Sequence, residues 1–292
     1  MRTLVIANPR SGRSRGLGAA EKAARAMASG GWDVTVRATG SPGDGVRLAQ
    51  EAARQGFDAV FACGGDGTLS QVVTGLLDTG IPAGLIPAGT GNDFARTVGL
   101  SRDPVEAARQ ALGGHARAVD LLEANGGVAW SLNVMGVGFD AAVAARMNRR
   151  LRLTGGAFAY VTAVVQELTF HRATEVVLAV DGEIWRGQAL LVAIANAQSY
   201  GGGMRIAPLA SVDDSLLDVV LVEAFGRLEF ARSFPRVFRG AHLTHPAVRT
   251  WQGREVTLTT PQPCPVLVDG DLMGETPLMV RVSPRRALLW LP

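Results

Sequence analysis

Apolar residues arrive in short bursts over the first 122 positions, and an amphipathic stretch follows most of them. Leu4–Ala7, Val34–Arg37, Asp58–Cys63 and Ala83–Ile86 are runs of strand length. Positions 17–29, 46–54 and 69–77 space their apolar residues by three or four, which predicts helices. Strands separated by helices of about ten residues imply parallel βαβ units in a doubly wound α/β sheet. Past residue 122 the rhythm changes. Val128–Asn133, Val176–Val180, Ala189–Ala195, Leu217–Val222, Val256–Thr259, Val266–Val268 and Met279–Val282 are short, rich in β-branched residues and bounded by turns. Asn125-Gly126, Asp181-Gly182 and Asp269-Gly270 carry the dipeptides of tight hairpins. This half reads as an antiparallel sandwich or barrel, with helical stretches at about 155–170 and 227–239.

Composition narrows the class. The 292 residues suit two domains, and 47% hydrophobic content supplies a core for each. A net charge of +3 fits an anionic substrate or surface but is too weak to indicate nucleic acid. Lys22 is the single lysine among 29 basic residues, so a side chain that meets phosphate here is expected to be Arg. Cys63 and Cys264 form no paired motif, and His115, His171, His242 and His245 lack metal-ligand spacing. That pattern points to a reducing cytosol without zinc or disulfides. The start MRTLVIANPRSG has no signal-peptide core, and no apolar run reaches transmembrane length.

Three loops follow predicted strands, on the edge of the sheet where ligands of such folds bind. Gly64-Gly65-Asp66-Gly67-Thr68 ends the third strand and opens a helix. Glycines there would let the backbone take positive φ and approach phosphate oxygens, and the helix N-terminus would add donors. An Asp among them must hold a cation or cap the loop backbone. Pro87-Ala88-Gly89-Thr90-Gly91-Asn92-Asp93-Phe94-Ala95-Arg96 repeats the pattern after the fourth strand, with Asn92 and Asp93 as candidate caps. Asn8-Pro9-Arg10-Ser11-Gly12 follows the first strand. Neither a P-loop nor a dinucleotide G-x-G-x-x-G is present. Either glycine loop alone could be an ordinary turn; two on one sheet edge argue for a phosphate site.

The NPRSG loop, GGDGTLSQVV and PAGTGNDFAR together resemble the catalytic domain of diacylglycerol kinases and their bacterial lipid-kinase relatives. The resemblance continues through Gly136–Asp140, Tyr200–Pro208 and Val268–Asp271 and covers essentially the whole chain. GGDGT alone also occurs in NAD kinases and resembles a phosphofructokinase loop; GTGNDFAR makes the likeness specific. The resemblance implies an α/β nucleotide domain at 1–122, rejoined by 284–292, and a β-sandwich lipid-substrate domain at 123–283, with the active site in the cleft between. It implies that Asn8, Pro9, Arg10, Ser11, Gly12, Thr39, Gly64, Gly65, Asp66, Gly67, Thr68, Leu69 and Thr90 line an ATP site. A catalytic Mg²⁺ would be held through Asp66 with Asp93, and Asp271 corresponds to the general base, where the family usually has Glu. Glu183, which also follows an Asp-Gly turn, is the rival carboxylate. Ser211, Asp214 and Leu216 match a structural Mg²⁺ loop, although Ser215 stands where Gly is usual.

The expected activity is transfer of the γ-phosphoryl group of ATP to a lipid hydroxyl, on diacylglycerol or a related lipid. The expected setting is the cytoplasm, with peripheral contact at the inner face of the membrane. A kinase of a soluble acceptor such as NAD, or a silent lipid- or nucleotide-binding regulator, are the alternatives. Phe230, Phe234 and Phe238 with Arg232, Arg236 and Arg239 form a basic amphipathic stripe, interrupted by Pro235, whose apolar side is expected to pack on the protein's own core. Arg146, Arg149, Arg150 and Arg152 form a second basic cluster, expected to be a solvated face.

Overall fold

A computed structural model describes residues 1–150 and 173–292, apart from the side chains of Arg13 and of 145–150. The expected helix at 155–170 and the cluster Arg146, Arg149, Arg150 and Arg152 therefore lie outside the described side chains. The described chain forms two compact units. One comprises Met1–Leu121, Gly201–Gly203 and Ser283–Pro292, the other Leu122–Tyr200 and Met204–Val282.

The first unit is built on strands β1 (Arg2–Ala7), β2 (Asp33–Ala38), β3 (Ala59–Gly64), β4 (Ala83–Pro87), β5 (His115–Val119) and the C-terminal β17 (Ala287–Leu291). Their order is β2-β1-β3-β4-β17-β5. β1 to β4 run parallel, β17 continues parallel to β4, and β5 turns antiparallel to β17. Helices α2 (Gly16–Ser29) and α6 (Pro104–Leu112) pack together, as do α3 (Asp44–Arg54) and α4 (Asp66–Leu76). β1 and β3 are buried along nearly their whole length, which is why they read as unbroken apolar runs rather than alternations. The strand order reverses between β1 and β3, so the loops after these strands meet at a topological switch point.

The second unit is an antiparallel sandwich. Its central strand is β10 (Glu183–Ala195), which changes partners along its length. Residues 183–189 pair with β9 (Thr174–Val180), while 191–195 lie between β8 (Val134–Gly138) and β11 (Leu217–Glu223). A register shift between Ala189 and Leu191 marks the change. Val192 and Ile194 of β10 join Val219 and Leu221 of β11 in the core between the layers. Leu191, Ala193, Val220 and Val222 join a second core outside that layer, with Phe139, Tyr200, Phe230 and Leu267. Both faces of these strands are buried, so LLVAIA and LDVVLV lack the two-residue alternation of a half-exposed strand. In β16 (Leu278–Val282) the alternation survives, with Leu278 and Val280 inside and Met279 and Arg281 outside.

The stretch 227–239 divides as its proline predicts. Arg227–Ser233 is α-helical and Phe234–Arg239 is a 3₁₀ turn with Pro235 in its first positions. Among the described residues no helix is long and apolar enough to cross a membrane.

Candidate active site

The loops after β1, β3 and β4 interlock. The Asn8 amide donates to Thr68 Oγ1 at 3.3 Å, and Asn8 N donates to the Cys63 carbonyl at 3.0 Å. Asn8 Oδ1 accepts from Arg10 N at 3.0 Å, which turns the chain into the short helix Ser11–Ser14. Gly12 has φ +57°, and a Cβ there would meet the Ala88 carbonyl oxygen at 2.4 Å. Thr39 follows β2, with its N–H on the Ala7 carbonyl.

Gly64 and Gly65 do not take the positive φ that the sequence suggested; Gly65 is extended at φ −97°. Closeness is what requires glycine here. A Cβ on Gly89 would lie 2.5 Å from the Gly65 Cα, and one on Gly64 would strike the Thr68 hydroxyl at 2.3 Å. The two glycine loops run backbone against backbone.

Asp66 performs the cap that the sequence assigned to Asn92 or Asp93. Its Oδ1 accepts from Phe94 N at 2.9 Å and its Oδ2 from Asp93 N at 3.1 Å, across to the start of the helix Asp93–Thr97. Asn92, in the left-handed region at φ 53°, instead closes its own loop through two 3.0 Å bonds with the Gly89 backbone. Asp93 Oδ2 accepts from Gly202 N at 2.7 Å. Burial pushes the Asp93 carboxyl above its usual range, the Asp66 charge adds to the rise, and the Gly202 N–H and Arg96 oppose it. A Cβ on Gly91 would stand 3.0 Å from Asp93 Oδ2 and 3.4 Å from Asp66 Oδ2. Two carboxylates therefore converge beside a residue with no side chain, a donor set of hard oxygens that fits Mg²⁺.

The predicted ATP-site residues do not all offer side chains. Leu69 is 1% exposed and belongs to the core, because it lies on the inner face of α4. The Thr68 and Leu69 N–H groups are engaged by the Gly65 carbonyl, which leaves those of Asp66 and Gly67 as the first-turn donors for a ligand. Pro9 is partly exposed, and Arg10 and Thr90 are exposed.

In the second unit, Asp271 opens β15 (Asp271–Glu275) opposite Val268 and is exposed. Glu183 is exposed too, but its Oε1 accepts from the Trp251 indole at 2.8 Å. Near the other predicted metal loop, Asp214 Oδ1 accepts from Leu216 N at 3.0 Å, and Ser211 Oγ donates to Asp213. Ser215 keeps the left-handed conformation, φ 62°, that a glycine would take more readily. Burial lifts Asp218, at the start of β11, up to about 6, against a hydrogen bond from Gln252 and with the Asp214 charge adding to the rise. Among the described residues no three His, Cys, Asp or Glu side chains gather as a metal cluster.

Two acids that the sequence showed only as part of a turn and of a motif find partners in the structure, Asp269 half-buried and Asp140 buried. Asp269 Oδ1 accepts from Ser131 Oγ at 2.6 Å and from the N–H groups of Asn133 and Val134, while Oδ2 accepts from Leu132 N. Asp140 starts the helix Phe139–Arg150 and accepts from Ala141 N at 2.8 Å. Burial pushes its carboxyl up to about 7, against the Ala141 N–H and a hydrogen bond with the Tyr200 side chain. The GVGFD and YGGGM segments that hold Asp140 and Tyr200 were visible; their pairing was not.

A profile of the diacylglycerol kinase catalytic domain matches residues 2–124, and one of the YegS C-terminal NAD kinase beta sandwich-like domain matches residues 133–290. A diacylglycerol kinase of Mycobacterium tuberculosis (strain ATCC 25618 / H37Rv) is 35% identical over 96% of this chain and 92% of its own length. One of Bacillus subtilis (strain 168) is 30% identical over 94% and 91%. A solved structure of a putative diacylglycerol kinase from Bacillus anthracis str. Sterne superposes with a TM-score of 0.79 at 25% identity, over 97% of this chain and 94% of that one.

Proposed function

Since the chain belongs to the diacylglycerol kinase family, we propose that it transfers the γ-phosphoryl group of ATP to a lipid hydroxyl, with diacylglycerol as the first acceptor to test. The observation that carries this reading is the lock between the two glycine loops, in which Asp66 holds the backbone of Asp93 and Phe94. A triphosphate needs such a surface: close backbone, free N–H donors and no side chains in the way. Asn8–Gly12, Gly64–Thr68 and Thr90 line it, and Arg10 brings positive charge to its rim.

Phosphoryl transfer asks little covalent chemistry of the protein; positioning and electrostatics dominate. The N–H groups of Asp66 and Gly67 orient phosphate oxygens. Asp66 and Asp93 would hold Mg²⁺, which would supply charge to offset that of the phosphates. Asp271 accepts the hydroxyl proton of the acceptor as its oxygen bonds to the γ-phosphorus, while the bond from that phosphorus to the bridging oxygen breaks and ADP leaves with the electron pair. Being exposed at the start of a strand, it is open to a substrate, whereas Glu183 is engaged by Trp251.

The test is incubation of the purified chain with γ-labelled ATP, Mg²⁺ and dispersed diacylglycerol. Labelled phosphatidate is the expected product. Label on a soluble acceptor such as NAD, or ATP consumption indifferent to lipid, would overturn the assignment.

A further inference from the structure

The segment Arg227–Arg239 carries two apolar stripes, and the fold uses one. Phe230, Phe234 and Val237 face inward, at i, i+4 and i+7. The Phe139 ring meets Phe230 at 5.2 Å and Phe234 at 5.8 Å. On the other side Leu228, Ala231, Pro235 and Phe238 stand exposed at i, i+3, i+7 and i+10, with Leu228 76% and Phe238 45% accessible. Of the three aromatic residues in the expected stripe, Phe238 thus belongs to the outer face. Leu209, 79% accessible, follows Pro208, which lies against Gly240 at the end of the segment.

Scattered exposed apolar side chains need no explanation, but a stripe of them beside like charges does. Arg227, Arg232, Arg236 and Arg239 are all exposed on this segment, and Glu229 is its single acid. Glu229 is engaged by His245 Nε2 at 3.2 Å. Arg236 donates to the Thr244 hydroxyl, while among the described residues no carboxylate pairs with Arg227, Arg232 or Arg239.

We propose that this outer face, with Leu209, is a docking surface for an anionic lipid bilayer, and that the enzyme meets its acceptor there; the second clause rests on the lipid-kinase reading. Leu228, Pro235 and Phe238 would enter the headgroup boundary, and the arginines would reach lipid phosphates along their flexible stems. A second copy of the chain is the poorer occupant, because a two-fold contact would set four arginines against four. Leu272, beside Asp271, packs in the same apolar cluster as Phe230 and Phe234. Docking face and proposed base are thus carried on one body.

The test is co-sedimentation of the full chain with phosphatidylcholine vesicles, with and without phosphatidylglycerol. Lipid phosphorylation is measured in parallel on vesicles and on a short-chain diacylglycerol dissolved as monomers. The parent should bind the anionic vesicles, less so as salt is raised. Leu228→Ser/Phe238→Ser should weaken that binding about tenfold or more. Arg232→Gln/Arg239→Gln should weaken it about tenfold, with little effect on neutral vesicles. Both should lose turnover on vesicles and keep it on the dissolved acceptor, with unchanged thermal midpoints. A parent that ignores anionic vesicles, variants that bind like it, or variants that alter only self-association would overturn the proposal. Vesicle binding lost in the variants, with no lipid phosphorylated in either assay, would keep the docking face and reject the kinase reading.

Discussion

The second unit contains one turn twice. Asp181-Gly182 and Asp269-Gly270 take nearly the same backbone, with φ of 46° and 91° in the first and 48° and 100° in the second. Each is followed by an acid, and each uses its Asp to hold backbone N–H groups of a neighbouring turn. The difference lies in what surrounds them. Asp181 is exposed and accepts from Arg254 N and Glu255 N. Asp269 is half-buried and accepts from four donors between Ser131 and Val134. The first hairpin is pinned at its rim. The second is anchored in the body of the unit and presents Asp271 from a fixed base. The role proposed for Asp271, that of proton acceptor, needs a fixed position as much as it needs basicity.

Removing each anchor should separate the hairpins most. Asp269→Ala leaves four donors without their acceptor in a half-buried site, and should cost about 3 kcal/mol in urea unfolding. Asp181→Ala, whose donors water can reach, should cost about 1 kcal/mol. Equal losses would mean that enclosure does not distinguish the two turns.

The third residue of each hairpin comes next. Asp271→Asn keeps the shape and removes the basicity, and should lower kcat about a hundredfold with ATP affinity little changed. Asp271→Glu should retain turnover. Full activity in Asp271→Asn together with loss in Glu183→Gln would exchange the roles of the hairpins.

A smaller effect is expected on pH. Burial lifts Asp269 up to about 6, against the Ser131 hydroxyl and the three N–H groups. An unfolded Asp titrates near about 4, so the folded state holds this proton more tightly. Stability from this group is full below about pH 4 and falls as pH rises to about 6. Asp140, lifted to about 7 by burial, adds a fall of the same sign that extends further. Urea midpoints from pH 4 to 8 should decline in the parent and flatten in Asp140→Asn; an unchanged slope would show that Asp140 is not the proton donor of this transition. The smallest effect belongs to Glu183→Gln, which keeps an acceptor for Trp251 and should shift stability by less than about 0.5 kcal/mol.

Most of the fold was legible because burial leaves a period in the sequence. The α/β half alternates apolar runs with helical spacing, and the sandwich strands are β-branched and bounded by turns. Among the strands that went unread, β8 is buried but carries two glycines and follows directly on Val128–Asn133, while three others lack that imprint. β12 (Val248–Gly253) is an edge strand, mostly exposed or half-exposed, and reads as polar loop. β15 holds Gly274 and two acids, and pairs only with β14 (Pro265–Val268). β5 is exposed over four of its five residues. At the candidate site the glycine loops were plain, but the reason for one of them was not: Gly89 has no room for a side chain because it lies against the backbone of Gly65, far back in the chain.

The sequence by itself determined the two-part architecture, the three loops on one sheet edge, the hairpin turns and the family, since each depends on local spacing or on residues in order. Tertiary structure decided which acid caps which backbone, that Leu69 is core, and which stripe of 227–239 turns inward. It also decided that Asp269 is an anchor while Asp181 stays at the surface. Those outcomes depend on partners dozens to more than a hundred residues away, where Asp66 meets Phe94, Phe139 meets Phe230, and Ser131 meets Asp269. A dipeptide sets the path of the backbone through a turn; the dielectric around its carboxylate, and the donors that carboxylate finds, are set by whatever the rest of the chain packs beside it.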